Sequence, residues 1–153
     1  MSFDLRSLRT RWAVLLVSIK LLACGGDDDA ATDACLASLP ETCAASIPVN
    51  YTSIYDKVLR PSCGAIGSGS TCHGPSGNQG GLSLYDPKGT YAELLGTSDG
   101  RARVLPGDAL CSVLMERLET SNIANRMPLN DVQLPAGLRC AVQQWIEAGA
   151  PED

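Results

Sequence analysis

From Tyr51 onward, apolar positions gather as short runs at helical spacing, broken by stretches rich in glycine, proline and serine. Ile54, Tyr55, Val58 and Leu59 fall on one face behind Thr52-Ser53, a good helix start, and Pro61 marks the end of that helix. Leu82-Ser83-Leu84 reads as a short extended piece, and Thr90 to Leu95 as a short helix closed by Gly96. Asp108 is a suitable N-cap for a helix whose stripe is Leu110, Val113, Leu114 and Leu118, with Met115 filling a gap. The last helix begins near Pro135, lines one face with Leu138, Ala141, Val142, Trp145 and Ile146, and ends at Gly149 and Pro151. Strand signals are nearly absent, so the pattern predicts a mostly α domain of short helices and long loops.

The N-terminal third follows a different pattern. Arg6, Arg9 and Arg11 precede a short apolar stretch, Trp12 to Leu22, interrupted by Lys20. Residues 1–23 therefore read as an export signal. Leu21-Leu22-Ala23-Cys24 resembles a lipoprotein cleavage box, which implies lipidation of Cys24; cleavage by a general secretory peptidase is the alternative. Without Asp directly after Cys24, the default tether is the periplasmic face of the outer membrane. Residues 24–50, opening with Asp27-Asp28-Asp29, read as a polar spacer stiffened by a Cys35–Cys43 bridge. The globular domain is then 51–153.

Composition and charge narrow the function. The chain carries −5, and removing the +3 of residues 1–23 leaves −8, which argues against nucleic acid and against electrostatic adhesion to anionic lipid. The domain's large aromatics are Trp145, Tyr51, Tyr55, Tyr85 and Tyr91, a thin core for its size, and such domains recruit disulfides, a metal or a cofactor.

The chemistry concentrates between Cys63 and His73. This stretch holds two of the seven cysteines and the single histidine of the chain. A Cys-His pair behind an upstream cysteine is how a polypeptide holds c-type haem, two thiols binding the porphyrin vinyls and the imidazole ligating iron. The usual motif has two residues between the cysteines, whereas eight separate Cys63 from Cys72. Two readings of the pair therefore stand: thioether attachment to haem, or a mutual disulfide closing a Gly/Ser loop. Cys111 and Cys140, on two predicted helices, read as a structural disulfide. Zinc would need a fourth ligand beside two sequence neighbours, and a hydrolase would need a nucleophile context that the single histidine lacks. A Cys-x-x-Cys redox motif is also missing.

The order of further motifs strengthens the haem reading. Cys72-His73-Gly74, Gly80-Gly81-Leu82, Val104-Leu105-Pro106-Gly107-Asp108, Met127-Pro128 and Trp145-Ile146-Glu147-Ala148-Gly149-Ala150 together resemble the Planctomycete-type cytochrome c domain, a relative of single-haem class I cytochromes. The resemblance spans about Ser53 to Ala150. It implies a cytochrome c-like fold around one haem c, with Cys63 and Cys72 as attachment points, His73 as proximal iron ligand and Met127 as distal ligand. Read from the residues alone, Met127 could equally fill a gap between helices. The expected protein is an electron carrier rather than an enzyme. It would be lipid-tethered in the cell envelope and meet a transient redox protein partner, with no small-molecule substrate. The alternative is a haem-free, disulfide-stapled interaction module on the same scaffold.

Overall fold

The computed structural model describes residues 35–64, 72–75, 77–129 and 132–153. The export signal, residues 1–23, and Cys24 lie outside the described residues. Six short helical elements and one hairpin make up the regular structure of the described residues. α1, Tyr51–Ile54, is capped by Asn50, whose side chain accepts from the Ser53 amide, and it runs directly into a π-wound coil, Tyr55–Gly64. A single 3₁₀ turn at Gln79–Gly81 precedes α2, Pro87–Leu94. A two-strand antiparallel hairpin follows, β1 Thr97–Ser98 with β2 Arg101–Ala102, and then α3, Val113–Glu119, and α4, Ala136–Glu147. No described helix is long and apolar enough to cross a membrane.

The first and last helices form the body of the core. Ile54, Tyr55, Val58 and Leu59 are all buried, as their spacing predicts, against Val142, Trp145 and Ile146 of α4. Tyr51 stacks between Tyr55, Tyr91 and Trp145 with ring centroids 6.1, 5.0 and 5.9 Å away. Each polar tip of this cluster finds a carbonyl: Tyr51 donates to Pro87 O, Tyr55 to Tyr85 O, Tyr91 to Ala150 O and the Trp145 indole to Pro151 O. Tyr85, expected in the core, instead stands 59% exposed and contributes its backbone rather than its ring.

Three boundaries differ from the sequence expectation. The first helix does not stop at Pro61: the coil carries through it to Gly64. The wider π winding relieves the crowding that a proline ring meets in an α-helix, so the proline is absorbed. α2 starts earlier than Thr90, because Asp86 accepts from the Gly89 amide at 2.7 Å and Pro87 takes the first turn. α3 starts later than Asp108. Asp108 caps only a turn, its carboxylate accepting from Cys111 N, while the Ser112 hydroxyl donates to Asp108 O and accepts from Leu105 N. These local bonds hold residues 105–112 out of the helix, and Leu110 is therefore exposed.

The disulfides correct the expected pairing. All four cysteines named for structural bridges are bonded, but as Cys35–Cys111 and Cys43–Cys140 rather than Cys35–Cys43 and Cys111–Cys140. The stretch 35–50, expected to be a solvated spacer, accordingly lies as a strap along the domain. Leu36 N donates to Leu110 O and Ser46 N to Gly137 O, Gln143 and Gln144 of α4 donate to Pro40 O and Cys43 O, and Leu36, Leu39 and Ile47 pack on the core. Gly137 is required there, since a Cβ would lie 2.7 Å from the Ser46 side chain.

Candidate functional site

His73 sits in a loop that the backbone fixes from both sides. Gln79 N donates to Cys72 O at 3.0 Å and Leu84 N to His73 O at 2.7 Å, so the segment 79–84 folds back along the Cys72–His73 peptides. Gly80 and Gly81 make that return possible with φ of 62° and 67°, the left-handed region that a side chain resists. The return also delivers the Leu82 carbonyl to the His73 ring, 2.9 Å from Nδ1. A carbonyl only accepts, so Nδ1 carries the proton of this bond and Nε2 is the ring nitrogen left for another partner. The bond also fixes the ring plane.

His73 faces a cavity of about 290 Å³. One wall comes from the π-wound coil through Val58, Leu59 and Cys63, another from Leu82 and Leu84, and a third from α3 through Val113, Leu114 and Leu118. The loop after α3 supplies Met127 and Leu129. Met127 is held by its own backbone, its amide donating to Arg117 O at 2.7 Å at the end of α3, and its peptide bond to Pro128 is cis. Three of the four residues expected at the cofactor, Cys63, His73 and Met127, thus meet in one cavity, although 64 positions separate the first from the last. Cys72 adjoins His73 in sequence and is half-buried, but is not part of the cavity lining.

Cys63 and Cys72 are thiols, not joined to each other, which is the opposite of the disulfide reading of this pair. Burial pushes the Cys63 thiol up to about 11, so it stays protonated at neutral pH and is a poor nucleophile in its own right. Among the described residues no three His, Cys, Asp or Glu side chains converge as a metal cage. A macrocycle that brings its own four nitrogens needs no such cage: it asks for axial donors and apolar walls, and the His73–Met127 cavity supplies those types.

Several lining residues escaped the sequence reading. Ser98 and Asp99 reach the cavity because Asp99-Gly100 turns the hairpin, with φ of 53° and 80°; an Asp-Gly pair is a recognised hairpin signal and could have revealed it. Arg103 and Arg117 also line the cavity, and no motif marks them. Arg103 binds Glu93 O at 2.9 Å, Gly80 O at 2.7 Å and Gly81 O at 3.1 Å, pinning the loop return that leads into Leu82.

No curated protein and no solved structure matches the chain. Residues 70–131, which include Cys72, His73, Arg103, Arg117 and Met127 but not Cys63, match the family model described as Planctomycete cytochrome C.

Proposed function

We propose that the protein is an electron carrier with a single c-type haem, tethered in the cell envelope through Cys24. The observation that carries this reading is the His73 imidazole, oriented by the Leu82 carbonyl and lining the same apolar cavity as Met127. His73 would hold iron through Nε2, and Met127 would offer its thioether from the loop after α3. Cys63 and Cys72 are the thiols available for attachment. When bound, the haem supplies an iron that carries one electron between its ferric and ferrous states.

The chain's own part is to orient and to exclude water. Val58, Leu59, Leu84 and Leu118, buried in the cavity wall, keep solvent from the ligating atoms, and desolvation of that kind tunes a redox potential. Ile123 and Leu129, 65% and 44% exposed on the loop around Met127, support docking of a transient redox partner at this edge. The experiment is a visible-spectroscopic redox titration of the exported protein. A reversible one-electron wave is expected, and Met127→Ala should lower its midpoint while leaving the haem attached. Absence of any redox-active absorption in folded, exported protein would overturn the proposal in favour of a haem-free, disulfide-stapled module.

A further inference from the structure

The stretch that leads from Cys24 to the domain ends on an apolar knuckle. Cys35, the first described residue, is bonded to Cys111, and the amide of the next residue, Leu36, donates to Leu110 O at 2.9 Å. The turn they fasten, residues 105–111, carries exposed Leu105, Pro106 and Leu110, the two leucines 40% and 38% open. Local bonds hold its shape. Asp108 N donates to Leu105 O at 2.9 Å, Gly107, at φ 85°, donates to Ile146 O at 2.7 Å, and Ala109 is buried. Leu105 N is spent on the Ser112 hydroxyl, Cys111 N on the Asp108 carboxylate, Asp108 O on the Ser112 hydroxyl and Leu110 O on Leu36. Pro106 has no N–H to offer. Two leucines and a proline over a backbone bonded in this way suit a medium that supplies no hydrogen bonds, whereas a partner read by polar contacts would find few to make.

Building on the reading of Cys24 as lipidated, we propose that this knuckle rests on the lipid surface that holds the acyl chains. Cys35 lies 11 positions after Cys24. Even fully extended, a chain of that length spans no more than about 40 Å. The tether thus ends on the knuckle and keeps it at high effective concentration over the bilayer, so a contact too weak to hold a free protein is populated. Without residues 1–23 the chain carries −8, which gives anionic lipid no hold, and the contact is made by apolar side chains entering a zwitterionic interface. Retention is supplied by the acyl chains, and what the knuckle adds is orientation. α3 starts just past the knuckle, and the Met127 amide is bonded to Arg117 O in its last turn. Docking the knuckle therefore holds the loop with Ile123, Met127 and Leu129 at the far end of α3, about 10 Å of helix away, open to a soluble partner.

The test uses the mature lipoprotein, purified with its acyl chains and placed in phosphatidylcholine vesicles. A reporter is introduced by Leu110→Trp or, past the opposite end of α3, by Ile123→Trp, and unmodified protein supplies the Trp145 background. Lipid brominated in the upper acyl chain should quench the Leu110→Trp emission about twofold more than that of Ile123→Trp. Adding Leu105→Glu to the Leu110→Trp chain should abolish the difference while the acyl chains keep the protein on the vesicle. Equal quenching at the two positions, with the acyl chains in place, overturns the inference and leaves the tether reading intact. So does a blue shift at Leu110→Trp that grows with protein density and resists bromine, which would mean that a second copy covers the knuckle. A mature protein whose mass carries no acyl chain defeats the tether reading itself, and the docking with it.

Discussion

Cleaving the Cys43–Cys140 bridge by replacing both residues with alanine is the sharpest test of how the strap belongs to the domain. The two cysteines lie 97 residues apart, and a cross-link over a loop of that length restricts the unfolded chain by about 4.7 kcal/mol in the chain-entropy account. A local Cys35–Cys43 bridge would close so short a loop that the same account gives only about 2.5 kcal/mol. The strap also loses its anchor on α4, although the Ser46–Gly137 and Gln144–Cys43 backbone contacts can persist without the sulfurs. The expected loss is therefore about 4 kcal/mol, measured by guanidinium denaturation of haem-free protein under non-reducing conditions, with Tm lowered by roughly 15 °C. Because the two bridges interlock, removing Cys35–Cys111 as well should cost less than a second full increment. A loss below about 1 kcal/mol, or a non-reduced peptide map that returns Cys35 joined to Cys43, would refute the strap.

Two further outcomes follow from the site. In haem-free protein the Cys63 thiol, pushed up to about 11 by burial, keeps its proton where the unfolded chain loses it, so stability falls as pH rises from about 9 to 11, by roughly 2 to 3 kcal/mol. Tyr51, also raised by burial, adds its own decline above pH about 10; the difference between wild type and Cys63→Ala in pH-dependent melts isolates the thiol, and identical slopes would contradict its burial. Gly64→Ala would place a Cβ 2.8 Å from Leu84 O and 3.0 Å from Leu84 Cβ, displacing the segment whose Leu84 amide holds the His73 carbonyl. Denaturant melts should show a loss of about 1 to 3 kcal/mol, and amide exchange at Leu84 should accelerate; unchanged exchange would mean that the coil and the histidine loop are not packed together.

What the sequence made legible depended on whether a signal was local. α4 begins at Ala136 behind Pro135 and turns at Gly149, and its predicted face is the one that faces the core, because both caps and periodicity reside in adjacent residues. The disulfide partners were not legible: four cysteines admit three pairings, and only the fold brings Cys35 to the turn before α3 and Cys43 to α4. Pairing by nearness along the chain was the error, and it carried the spacer boundary with it. At the site, His73 and Met127 announce themselves by residue type and neighbourhood. The Leu82 carbonyl and the two arginines do not, since a backbone oxygen has no sequence mark and an arginine's place in a cavity wall is recognised only once its surroundings are known. The long gap between Cys63 and Cys72 obscured a relation that the fold makes plain for Cys63, which lines the same cavity as His73.

Mass spectrometry of the Cys72–His73 peptide from exported protein, digested without reduction, tests the haem assignment most directly. The account predicts a tetrapyrrole joined to Cys72 through a thioether, with a Soret band that survives acid-acetone extraction. A colourless, folded protein whose Cys63 and Cys72 are both open to alkylation, or bonded to each other, would contradict it.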